Sequence, residues 1–248
     1  MGQCIAIVSG KGGTGKTSLT AGVGAALARS GKTVLCLDCD IGLRNLDLAL
    51  GLTDRALMDF SDVAQGRCTL EAAVVDHPQL RGLYLLTAPV RSRGRPVTEA
   101  QMAALLAQVR QRFDYCLLDA PAGLDAGFRL ATAAADRCLV VTTADASSLR
   151  DAQHTVMELN RFRSGTLHLV VNRVRKKLLR SMHATIDDAI DKAGLPLLGV
   201  IPEDDALPLA LNQGTPLLIA NPQSPSATAY RNIAIRLQGG RAPLLRIK

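Results

Sequence analysis

Short, continuously apolar runs alternate along this chain with longer stretches in which apolar residues return every three or four positions. The runs fall at 3–9, 33–38, 83–87, 114–119, 137–142, 167–172 and 196–201. Most contain no regular polar position, as expected of strands covered on both faces. Between them the helical period takes over. Residues 16–30 align Leu19, Val23, Ala26 and Leu27, with Gly31 placed to end the helix. Thr98 and Gln101 are spaced as a capping box ahead of Met102, Leu105, Leu106 and Val109. A helix over 147–162 aligns Leu149, Ala152, Val156 and Leu159, and another over 182–193 stops at Gly194. Ser224-Pro225 opens a last helix with Tyr230, Ile233 and Leu237 inward. This alternation predicts an α/β fold: a doubly wound, mostly parallel sheet with helices on both faces. A chain of 248 residues fits one such domain, with a core over about 3–238 and a short tail, 239–248. Ligands then belong at the carboxyl ends of the strands.

The chemistry falls at those ends. The first run leads straight into Gly10-Lys11-Gly12-Gly13-Thr14-Gly15-Lys16-Thr17-Ser18. Gly10 to Thr17 fit the phosphate-loop pattern G-x-x-x-x-G-K-[ST] of P-loop NTPases. Glycines let backbone N–H groups converge on an anion, and the following helix aims its positive end at the same point. Lys16 can reach terminal phosphates, and the Thr17 hydroxyl can ligate Mg²⁺. Lys11 adds a second lysine near the start of the loop. The second strand ends in Asp38-Cys39-Asp40, where one carboxylate can hold the Mg²⁺ water shell and another can orient an attacking water. Tyr115-Cys116-Leu117-Leu118-Asp119 is an apolar strand ending in aspartate, the Walker-B arrangement that supports Mg²⁺ through water. Pro121-Ala122-Gly123 follows as a tight turn suited to sensing a terminal phosphate. Asn172 and Arg173 end one later strand, and Pro202, Glu203 and Asp204 end another; these are candidates for walling a base pocket, with the Asn amide suited to an adenine edge. The residues thus assigned call for ATP and Mg²⁺.

Composition narrows the picture. Aromatics are 3% of the chain and Trp is absent, so Leu, Val, Ile and Ala must build the core. The net charge of +7 suits nucleic acid, anionic lipid or an acidic partner without choosing among them. Its densest stretch, Arg173 to Lys177 with Arg180, reads as a solvated loop. The segment 89–97, with Arg91, Arg93, Arg95 and Pro96, reads as a basic surface loop. Cys36 and Cys39 form a C-x-x-C without the second ligand pair a zinc site of this type needs. His77, His154, His168 and His183 are scattered, and no G-x-S-x-G nucleophile motif occurs. No apolar run approaches the ~20 residues of a membrane span. The first strand begins at once, leaving no room for a signal peptide, so a cytoplasmic location is expected.

Taken in order, these motifs resemble the ParA/MinD ATPases, which carry a deviant Walker A loop of the form Lys11 to Thr17. Asp38-x-Asp40-x-Gly42-Leu43-Arg44-Asn45-Leu46-Asp47 resembles the septum-placing members in particular. Asp119 to Gly123, Ser147 to Asp151, Ile201 to Asp204 and Asn212-x-Gly214-x-Pro216 extend the likeness, which runs from about residue 3 to 240. The resemblance implies an ATP-dependent homodimer that positions the division septum. Lys11 would reach the partner subunit's phosphates, while Lys16 and Thr17 serve the same subunit and Asp40 positions the lytic water. A MinC-type inhibitor would bind the ATP form, and a MinE-type regulator would stimulate slow hydrolysis. Such members usually end in a basic amphipathic helix that inserts into lipid. Here Gly239, Gly240 and Pro243 break any helix in the tail, so contact with the inner face of the cell membrane should be weak or indirect. The alternatives are a partition ATPase of the same family that binds DNA non-specifically, and a flagellar-number regulator. The Arg44 to Asp47 pattern disfavours DNA, and the regulator usually carries an extension ahead of its loop.

Overall fold

In a computed structural model of the chain, residues 1–91, 95–182 and 185–245 are described. Arg93 of the basic loop, His183, and Arg246, Ile247 and Lys248 of the tail lie outside them. The expected strands appear as β1 (Gln3–Val8), β2 (Val34–Asp38), β4 (Leu83–Leu86), β5 (Tyr115–Asp119), β6 (Arg137–Thr142), β7 (Leu167–Val174) and β8 (Leu197–Pro202). A short β3 (Val75–Asp76), too brief to leave a pattern, pairs antiparallel to β4. The eight-stranded sheet has the order β3-β4-β2-β5-β1-β6-β7-β8, and every other pairing is parallel.

Side chains leave the sheet alternately, and each face has its own core. Ile5, Ile7, Val34, Cys36 and Leu117 face the helices Lys16–Arg29 and Pro225–Leu237. Cys4, Ala6, Leu35, Leu37 and Leu118 face the helices Glu99–Arg112 and Ala146–Glu158. Cys36 and Cys39 therefore lie in opposite cores.

The helix starts follow the side-chain chemistry that the sequence displays. Thr98 and Gln101 form the reciprocal capping box, and Met102, Leu105, Leu106 and Val109 are its buried face. Ser224 accepts the Ala227 N–H, with Pro225 in the first turn. Gly194 ends the helix Ile186–Ala193 with φ of 65°. Three segments differ from expectation. The helix expected over 182–193 is seen as Ile186–Ala193, with residues 183 and 184 outside the described ones. The helix Ala146–Glu158 ends short of residue 162. The basic stretch contains a helix, Lys176–Ser181, rather than only loop; none of its side chains is buried, so periodicity carried no signal.

The helix Lys16–Arg29 is buried almost all round from Leu19 to Ala28, not on one face alone. It is clamped between the sheet and the helix Pro225–Leu237, and its small residues allow this. A Cβ on Gly22 would sit 2.3 Å from the Tyr230 ring, and one on Gly24 would sit 2.5 Å from Cys36 Sγ. Tyr230 is fully buried, and its hydroxyl has no hydrogen-bond partner among the described residues. Gly22→Val should thus lower stability in chemical denaturation by about 1–3 kcal/mol through overpacking. Tyr230→Phe, which only deletes the unpartnered hydroxyl, should leave stability unchanged or raised. A loss above about 1 kcal/mol in the Phe variant would show that the hydroxyl is satisfied.

Candidate functional site

The sheet order makes β2, β5 and β1 consecutive neighbours. It sets the ends of these strands side by side: Asp38 pairs in register with Asp119, and Asp119 with Ile7. The loop after β1 curls over this edge, with Gly13 at φ 76° and Gly15 at φ 93°. These left-handed values suit glycine, and Gly15 has a second reason: a Cβ there would lie 2.2 Å from Asn172 Nδ2. A cavity of about 430 Å³ opens beside the loop. Gly12, Gly13, Gly15, Lys16, Thr17 and Ser18 line it from the loop side. Asp40, Asn172, Arg173, Pro202, Glu203 and Asp204 line it from the neighbouring strand ends.

Lys16 is 8% exposed, and its Nζ donates to Ser9 Oγ at 2.9 Å. Burial lowers its pKa, and the charges of Asp119 and Asp40 only partly restore it. Asp119 is buried and accepts from Thr20 Oγ1 at 3.4 Å. Burial, then repulsion from Asp38, raises its pKa to about 7 against a hydrogen bond from Thr17 and the charge of Lys16. Asp38 is fully buried and takes the N–H groups of Asp40 at 2.8 Å and Leu46 at 3.2 Å. Burial still raises its pKa to about 6. Asp38 therefore shapes the segment 40–46 while standing beside Asp119. Asp40 is half-buried at the cavity wall, and its pKa is raised by burial against the pull of Lys16.

The segment after Asp40 bends sharply. Gly42 (φ 98°) donates to the Pro89 carbonyl, and Arg44 adopts φ 50° with its Nε 3.4 Å from Asp47. Pro121-Ala122-Gly123 makes the expected turn: Gly123 has φ 90°, and its N–H reaches the Ser9 carbonyl at 3.3 Å.

Other predicted residues stand further out. Gly10 packs under the helix Ala146–Glu158, where a Cβ would meet the Asp151 carbonyl at 2.7 Å. Thr14 is buried, and its hydroxyl has no partner among the described residues. Lys11 is half exposed and lies 3.9 Å from Asp145, which caps the helix Ala146–Glu158. Burial pushes the Asp145 pKa up. Hydrogen bonds from Thr143 and Ser148, with the Lys11 charge, overcome this and hold it at about 2. Asp204 lines the cavity, but its carboxylate takes the N–H groups of Ala206 and Ser226. Sequence reading missed Ser9, Thr20, Leu207, Leu211 and Ser226. A serine before a glycine loop or a threonine inside a helix carries no motif, and only the folded chain brings the last three to the cavity.

Fit for a cation can be judged from this geometry. Asp38 raises the pKa of Asp119 on the neighbouring strand, Asp40 and Asp47 raise that of Asp38, and bound positive charge would relieve this repulsion. Without it, Asp38 and Asp119 hold protons in the fold that an unfolded chain would release above about pH 4. Their contribution to stability therefore falls as pH rises through the values of about 6 and about 7. Asp119→Asn should melt at least about 2 °C above the ligand-free wild-type protein near pH 8, the scale of one kcal/mol for a chain of this size. The gap should shrink near pH ~5, where both carboxylates are neutral. An equal gap at both pH values would contradict this coupling.

A family model for the CobQ/CobB/MinD/ParA nucleotide-binding domain matches residues 5–217. The chain is 40% identical over 246 residues to the septum site-determining protein MinD of Synechocystis, covering 99% of this chain and 92% of that protein. MinD in the MinC:MinD cell division complex of Aquifex aeolicus superposes with a TM-score of 0.90 at 35% identity, covering 99% of each chain. MinD of Pyrococcus horikoshii, solved with Mg-ADP, superposes with a TM-score of 0.82 at 30% identity, covering 96% of each chain. With the phosphate loop, the paired strand-end aspartates and near full-length similarity in agreement, the chain belongs to the MinD/ParA family of P-loop ATPases.

Proposed function

We propose that this chain is an ATP-hydrolysing dimerisation switch that places the bacterial division septum, working as one unit over residues 1–248. One observation carries the reading. A buried lysine, Lys16, lies within the field of Asp119 and Asp40 at a glycine-lined cavity, while a second lysine, Lys11, stands outside that cavity. The similarity to septum site-determining proteins over nearly the whole chain supports the biological role.

The residues divide the work. Gly10 to Gly15 present backbone N–H groups to the phosphates, and Lys16 meets the terminal ones. Thr17 would hold Mg²⁺ through its hydroxyl, with Asp38 and Asp119 supporting it through water. When bound, the ion would supply positive charge to offset that of the phosphates. Asp40, at the cavity wall beside the loop, orients the attacking water. Asn172, Arg173, Pro202 and Asp204 enclose the base. Lys11 is free to turn from Asp145 to the partner subunit's phosphates, so the site is complete only in a homodimer.

A MinC-type inhibitor is the proposed partner of the ATP-bound dimer, supported by the relative of known structure in a MinC:MinD complex. Hydrolysis is proposed to be slow until a MinE-type or other regulator acts. No helix among the described residues is long and apolar enough to cross a membrane. The tail as far as residue 245 lies along the body: Arg236 donates twice to the Ala242 carbonyl, and Asn232 donates to that of Pro243. Leu245 packs against the core. The location proposed is cytoplasmic, with contact at the inner membrane face weak or made through a partner.

Lys11 and Lys16 should separate on mutation. Lys16→Ala removes a charge-assisted contact of roughly 1.5–3 kcal/mol and should lose at least about tenfold in ATP affinity by calorimetry. Lys11→Ala should retain measurable nucleotide binding but fail to dimerise with ATP in size-exclusion with light scattering. A normal ATP dimer from Lys11→Ala would refute its role across the interface.

Asp40→Asn keeps shape and removes the charge that orients water. It should bind MgATP and accumulate as an ATP-bound dimer with phosphate release slowed by about 10²-fold or more, the scale of a lost acid–base group. Wild-type turnover would exclude Asp40 from the reaction.

A further inference from the structure

The strand end after β7 does more than wall the cavity. β7 leaves its register with β8 between Val171 and Val174. Arg173 sits in that break with φ 55°, a left-handed backbone that few non-glycine residues adopt. Three contacts hold it there. Its N–H donates to Asn172 Oδ1 at 2.9 Å. Its guanidinium forks onto Glu203, with Nε 3.4 Å from Oε2 and Nη2 3.2 Å from Oε1. Its remaining arm, Nη1, donates to the Gly13 carbonyl of the phosphate loop at 3.3 Å. Asn172, buried, donates from Nδ2 to the next loop carbonyl, that of Thr14, at 2.7 Å. Glu203 is itself anchored: its N–H reaches the Val174 carbonyl, and Arg175 Nη2 lies 3.2 Å from Oε1.

Two consecutive carbonyls of the phosphate loop are thus drawn toward two consecutive residues of β7. In a trans peptide the carbonyl and the following N–H point in opposite directions. Holding the Gly13 carbonyl fixes the direction of the Thr14 N–H, and holding the Thr14 carbonyl fixes that of the Gly15 N–H. We propose that Asn172 and Arg173, braced by Glu203, are positioning residues that set these two peptide planes for phosphate before nucleotide arrives. The assignment rests on the nucleotide reading above and deepens it: a strand end read as base wall also orders the phosphate loop. Preorganised donors bind an anion without the cost of turning peptide planes at the moment of binding.

Inorganic tripolyphosphate, which has no base, separates the two duties. Its affinity and that of MgATP would be measured by calorimetry at one ionic strength for the wild-type chain, Glu203→Gln, Arg173→Lys and the double variant. Glu203→Gln leaves both arginines and deletes only the brace. The clamp predicts that tripolyphosphate and ATP both weaken by about threefold to tenfold, the scale of one hydrogen bond. Arg173→Lys, which keeps the charge and loses the fork, should weaken both to a similar degree. The double variant should be no weaker than either single one, because both break one device. A simple field effect predicts the reverse sign, since removing a carboxylate beside an anion site tightens anion binding. Melting temperatures within about 2 °C of wild type would establish that the variants fold. Should Glu203→Gln not fold, Arg173→Lys gives the same readout alone. Tripolyphosphate binding that is unchanged or tighter overturns the proposal, as does weakening confined to ATP or additive losses in the double variant. A wild-type chain that bound neither ligand would instead sink the nucleotide reading, and this assignment with it.

Discussion

The site depends on holding one ammonium and two carboxyl groups together at a sheet edge nearly closed to water. Lys16, Asp38 and Asp119 are each under one-tenth exposed. Each would be costly to bury alone, because a low-dielectric surrounding disfavours the charged form. Parallel strands solve the problem by position. The last residues of β2 and β5 lie in register, and the loop from β1 brings the ammonium to the same edge. The residual imbalance is visible in the raised carboxylates and the lowered lysine. A site poised in this way favours added charge of both signs, which is what a metal–triphosphate pair carries.

The rest of the fold keeps that edge rigid on one side and movable on the other. The helix behind the phosphate loop is locked between the sheet and the helix Pro225–Leu237 by glycines that admit Tyr230 and Cys36. It cannot shift without opening a core. The segment 40–52 is held differently. Asp38 ties its start, and the Pro89 carbonyl takes the N–H of Gly42. At its far end, a Cβ on Gly51 would come within 2.0 Å of the Gly214 carbonyl, so this segment rests on the loop after the base wall. Ile41, Leu43 and Leu48 remain exposed along it. Leu46, Ala49, Leu50 and Leu52 anchor the rest of it in the core, so only 40–45, which buries no side chain, has the features of a segment that can reorganise locally.

Much of this was legible in the chain. The continuous apolar runs of β1, β2, β5, β6 and β8 mark strands buried on both faces, because such strands have no solvent side to pattern. The capping box of Thr98 and Gln101, and Ser224-Pro225, mark helix starts, because their hydrogen bonds are made within a few residues. The phosphate loop could be read because its chemistry is local: glycine torsions, one lysine and one hydroxyl within a single turn. The short helices over the basic stretch and around the cavity left no mark, since fewer than two turns carry no period.

Sequence by itself determined the fold class, the phosphate loop, and which strand ends carry acids, since each follows from torsion preference or burial along a short stretch. It did not contain the order β2-β5-β1, which comes from the long-range choice of β5 to insert between its two predecessors. Only that choice sets Asp38 beside Asp119, and Asp119 within the field of Lys16. Nor could spacing along the chain show that Asn172 and Arg173 grip the carbonyls of Thr14 and Gly13, or that Ser226 and Asp204 share a hydrogen bond at the cavity rim. These contacts join residues far apart in sequence, and their geometry exists only once packing of the two cores has fixed every strand end in place.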